Sequence, residues 1–70
     1  MKLSARNQLK GKVVKITEGA VNAMVVIEIG GGDRITATIS MDAVKELNLK
    51  AGSEAYAIIK ATSVMVGIPD

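Results

Sequence analysis

Apolar and polar side chains alternate through much of this chain, the period of strands with one buried face. Leu9 to Thr17 predicts a first strand carrying Val13, Val14 and Ile16. In a longer second strand, Val21, Ala23, Val25, Ile27 and Ile29 share one face, while Asn22, Met24, Val26 and Glu28 share the other. Gly30-Gly31-Gly32-Asp33 supplies residues that tolerate positive φ, as a tight hairpin requires. The third strand then turns Ile35, Ala37 and Ile39 inward and Arg34, Thr36, Thr38 and Ser40 outward.

After Ser40 the period changes. Met41, Val44 and Leu47 have helical spacing, and the side-chain oxygen of Ser40 or Asp42 can cap the orphan amides of a helix start. Asn48 is a stop and Lys50-Ala51-Gly52-Ser53 a turn into a fourth strand, Glu54 to Lys60. Ala61-Thr62-Ser63 breaks that strand before a fifth, Val64 to Ile68. Pro69 lies where a missing backbone N–H harms no ladder. No repeat, linker or charge block divides residues 1–70, so one domain is expected. The order β-β-β-α-β-β makes it all-β, a five-stranded OB-type barrel with one short helix between strands 3 and 4. Fold alone names no ligand.

Size changes the picture. A chain of 70 residues is marginal as a single core. It has no Cys for disulfides and no His, which removes the usual structural zinc site. With 49% hydrophobic residues, a monomer would expose much apolar surface, so a homo-oligomer is expected. The net charge of +2, from 9 basic and 7 acidic residues spread along the chain, does not make a polyanion binder. No run reaches the length of a membrane span or signal peptide, so the expectation is a cytoplasmic protein without a membrane partner.

The candidate chemistry lies near the two ends of the chain. Ser4-Ala5-Arg6-Asn7 and Lys60-Ala61-Thr62 combine cations, hydroxyls and small residues that leave backbone amides accessible. Arg and Lys only donate, so such a set suits a small, fully ionised oxyanion. Either cation alone reads better as solvated surface charge. Ser40, at a strand-to-helix junction, reads as an N-cap or an anion contact, with adjacent amides such as that of Ala43 contributing. Asn7 reads as a ligand donor or as a strand-entry residue satisfying backbone. The triple glycine lacks the Walker pattern, and the seven carboxylates show no acid/base or calcium spacing.

The runs SARNQLKGKV (Ser4 to Val13) and IIKATSVM (Ile58 to Met65), with ITATISMDAVKELNLKAGS between them, closely resemble the molbindins, small molybdate-binding proteins of the Mop/TOBE family. The resemblance spans essentially the whole chain. It implies strand exchange into dimers and then a hexamer, a trimer of dimers, that stores molybdate or tungstate at subunit interfaces. Carried over by residue, Ser4 and Arg6 would contact the anion, with Ala5 helping through its main chain. Ser40 would add a hydroxyl and Ala43 an amide, while Lys60 would bring the second positive charge and Ala61 a backbone N–H. Some relatives carry Ser where this chain has Ala61, so a side-chain contact there would come from Thr62 or be lost. Molybdenum would be held only as oxyanion, with no free metal cation, and no catalysis is implied.

The main rival is a nucleic-acid-binding OB module. Tyr56 is the only aromatic residue, however, so base stacking worth about 1–3 kcal/mol per base is nearly unavailable. A barrel-wall Tyr with a wet hydroxyl is the preferred reading. A sensing module normally fused to a regulator or transporter is a second rival. An enzyme is disfavoured by the absence of His, Cys and any nucleophile-base pair.

Overall fold

A computed structural model describes residues 1–70. Strands β1 (Asn7–Glu18), β2 (Asn22–Ile29) and β3 (Arg34–Ser40) form an antiparallel meander, followed by helix α1 (Met41–Glu46) and strand β4 (Glu54–Ile59). The sheet order is β3-β2-β1-β4. β1 is the shared strand: from Asn7 to Lys12 it pairs with β4, and from Gly11 to Glu18 with β2.

Two local features let one strand serve both neighbours. The register shifts between Val13 and Lys15, and this bulge places Val13 opposite Ile27 and Ile16 opposite Val25. Residues three apart in a regular strand point to opposite faces, so without the bulge Val13 and Ile16 could not both face the core. At Gly11, where both ladders overlap, a Cβ would run into the carbonyl of Glu28. Only glycine accepts so close a crossing.

Of the inward set predicted for β2, Ala23, Val25 and Ile27 are buried, joined by Val13, Val44 and Ala57, and Ile29 is half-buried, whereas Val21 precedes the strand and is 73% exposed. The hairpin glycines form a 3₁₀ turn with Gly31 and Gly32 at positive φ, closed by Ile29 N–H donating to Asp33 O at 2.8 Å. Ser40 caps α1, its Oγ accepting from Ala43 N at 3.0 Å. Val44 faces the core, whereas Leu47, predicted on the same helical face, sits at the C-cap and stays exposed. Asn48, in the left-handed region at φ 51°, ends the helix.

The fold is the expected OB type with one strand fewer. Val64 to Ile68, predicted as a fifth strand, follows a 3₁₀ turn at Ala61–Ser63 and pairs with no strand. Val64, Met65, Val66 and Ile68 are 50–93% exposed. Alternation marks a segment suited to a sheet but does not say where its partner strand lies. Correspondingly, β3 and β4 are both edges. Between them lies an apolar groove of about 830 Å³, lined by Ile35, Ala37, Ile39, Ala55, Ala57 and Ile59 among others.

Candidate functional site

The ladder between β1 and β4 ends at Asn7 opposite Ile59. One step outward stand Arg6 and Lys60, so the topology brings together the two cations that lie 54 positions apart in the sequence (60 − 6). Side chains facing each other across an antiparallel pair share a face, where like charges repel. Neither cation has a carboxylate partner: the ion pairs formed are Lys10–Glu54 at 3.8 Å and Arg34–Glu28 at 3.4 Å. Two exposed cations without counterions therefore leave the same end of the sheet.

The flanking residues supply further donors. Ser4, Arg6, Lys60 and Ala61 are exposed and Ala5 is half-buried. In the turn after β4, Ser63 N–H donates to Lys60 O at 2.8 Å and Val64 N–H to Ala61 O at 3.3 Å. The N–H groups of Ala61 and Thr62 are left without a main-chain acceptor, as expected where a helical turn begins.

The carboxamides that follow Arg6 hold this end together. Asn7 Nδ2 donates to Ile59 O at 3.1 Å, across the strands, and Gln8 Nε2 folds back to Ala5 O at 3.0 Å. Asn7 thus satisfies main chain, but that of the opposite strand rather than its own. Gln8 was not singled out by the sequence reading; its only signal there was a second carboxamide beside Arg6.

Ser40 and Ala43 lie elsewhere. Ser40 pairs with Asn22 at the start of β2, next to the Glu18 end of β1, whereas Arg6 precedes the Asn7 end. β1 is 12 residues long, so roughly 36 Å of strand contour separates the two groups at about 3.3 Å per residue. A single chain does not bring the whole candidate set together. The amide expected of Ala43 is also engaged, by Ser40 Oγ. An accepting hydroxyl still has its own hydrogen to donate, so Ser40 keeps one outward donor.

No group of three His, Cys, Asp or Glu residues is placed to hold a metal ion. No helix is long and apolar enough to cross a membrane.

The TOBE domain matches residues 3–66. The chain belongs to the TOBE family. Within it, the chain groups with the small Mop proteins: it is 71% identical to a probable molybdenum-pterin-binding protein of Haemophilus influenzae, over 97% of this chain and 99% of that one. Among solved structures, MopII from Clostridium pasteurianum superposes with a TM-score of 0.90 at 54% identity, covering 96% of this chain and all of that one. The cytoplasmic molybdate-binding protein ModG, solved with molybdate bound, gives a TM-score of 0.94 at 49% identity. This chain covers 49% of ModG, about half its length. The Mop fold agrees with the resemblance carried by SARNQLKGKV and IIKATSVM.

Proposed function

We propose that this Mop-family chain binds molybdate as a dianion and stores it at interfaces between its own subunits, as a cytoplasmic buffer rather than an enzyme. The observation that carries this reading is the pair Arg6 and Lys60, which flank the Asn7–Ile59 pair at one end of the sheet with no carboxylate partner. Their mutual repulsion is relieved when a dianion lies between them, and Ser4 Oγ with the free N–H of Ala61 adds uncharged donors. Ser40 then completes the shell from a second subunit, because its own chain keeps it at the far end of the sheet.

Assembly follows the same logic. The unpaired Val64–Ile68 segment of one subunit fits the β3–β4 groove of another, each supplying the apolar surface that the other lacks. Exchange in both directions gives a dimer, and a hexamer as a trimer of dimers agrees with the resemblance. An anion held between subunits stabilises the assembly, since it binds the associated state alone.

Selectivity rests on the donor-rich character of the site. Phosphate near neutral pH retains a proton for which Arg6, Lys60 and the Ala61 N–H offer no acceptor, whereas molybdate, tungstate and sulfate are fully ionised. Sulfate has the same charge but is smaller, so its exclusion falls to the spacing of the donors, and tungstate, close to molybdate in size, is not distinguished from it. Calorimetric titration tests the reading, with sulfate, phosphate and single-stranded DNA as comparators. Molybdate should bind far more tightly than phosphate. Equal affinities, or preferential binding of DNA, would refute it.

A further inference from the structure

The two carboxamides after Arg6 have a role beyond closing a strand. Asn7 stands at the last paired position of β1, directly opposite Ile59, and its Nδ2 donates to the Ile59 carbonyl at 3.1 Å. That carbonyl belongs to the residue immediately before Lys60. Asn7 itself is immediately after Arg6. The hydrogen bond therefore ties together the two main-chain points from which the two cations depart. On the Arg6 side, Gln8 Nε2 donates to Ala5 O at 3.0 Å, fixing the bend through which Ser4, Ala5 and Arg6 leave the strand.

We propose that Asn7, supported by Gln8, is a positioning residue that sets the gap between Arg6 and Lys60, and so the size of anion they hold. This rests on the oxyanion reading above. The physical reason is that exposed strand ends fray and like charges push apart, so an unclamped pair would sample many separations. Charge does not distinguish molybdate from sulfate, since both are dianions. A fixed separation does, because two cations free to approach would close on the smaller ion as readily. Asn7 does this through the strand end, one Nδ2 hydrogen being committed to the Ile59 carbonyl.

The test is titration of the full-length assembly with molybdate and with sulfate, comparing wild type with Asn7→Leu, Asn7→Ser and Arg6→Ala. Asn7→Leu keeps size and neutrality but removes the donor; Asn7→Ser stays polar but falls short of the carbonyl, and serves if the leucine variant does not fold. Molybdate affinity should fall about tenfold, because an unclamped cation pair must be ordered when the anion binds. The preference for molybdate over sulfate should narrow as well, while the anion-free assembly keeps its mass and circular dichroism, with the melting temperature lowered by the lost internal hydrogen bond. A loss of stability with an unchanged molybdate-to-sulfate ratio would make Asn7 merely structural and overturn the proposal. If Arg6→Ala abolishes binding while both Asn7 variants bind as wild type, the positioning role fails and the oxyanion site stands. Wild-type binding by Arg6→Ala would remove the site and this proposal with it.

Discussion

Arg6 and Ser40 stand at opposite ends of the sheet: Arg6 just before the Asn7–Ile59 pair that closes the β1–β4 ladder, Ser40 at the Asn22 pair that closes the β2–β3 ladder. A site using both needs two chains.

The cation pair should dominate affinity. Arg6→Ala and Lys60→Ala should each cost about 1.5–3 kcal/mol, the range for a hydrogen bond to a charged group, or some ten- to hundredfold in molybdate affinity. Both side chains are exposed, so circular dichroism and melting temperature should stay close to wild type. Full affinity in either variant removes that residue from the site.

Ser40 has two separable roles. Ser40→Ala loses the cap on Ala43 and should destabilise by about 1 kcal/mol. Ser40→Asp retains a capping oxygen but places a carboxylate where the anion is proposed to sit. Thermal unfolding should rank Asp above Ala, and molybdate titration should rank Ala above Asp. The same order in both measurements would place Ser40 outside the anion site.

Ending the chain after Ser63 should dissolve the assembly. Val64, Val66 and Ile68 lie on alternate positions and are exposed in the single chain. Burying each in a partner's groove is worth about 1.5–3 kcal/mol. Light scattering on the truncated chain should drop towards the 7.3 kDa chain mass. An undiminished particle would mean that these residues do not hold subunits together.

Gly11→Ala should destabilise by about 3 kcal/mol, towards the upper end for overpacking, because its Cβ meets the Glu28 backbone rather than a flexible side chain. Chemical denaturation measures it. A cost below about 0.5 kcal/mol, the level of an ordinary surface change, would show that the crossing of β1 between its two ladders is not tight.

Alternation fixed the strands because the two faces of a half-buried strand differ in polarity within a few residues. It therefore found β2 with its inward Ala23, Val25 and Ile27 and the third strand's inward Ile35, Ala37 and Ile39, while side-chain oxygen chemistry offered Ser40 or Asp42 as the cap of α1, which is Ser40. Donor chemistry also depends on residue type alone, so Arg6, Lys60 and Ser40 could be named as anion-binding candidates from the chain itself. Pairing is non-local, and only tertiary structure decided it. Nothing near Val64 reveals that its chain has no strand to offer it, and Leu47 has the right helical phase but falls at the helix end. Adjacent Val13 and Val14 do not announce the bulge that turns Val13 and Ile16 to one face. That Asn7 bonds Ile59, placing two distant cations at the same end of the sheet while Ser40 stays a strand's length away, follows from register, which is set by how whole faces pack together.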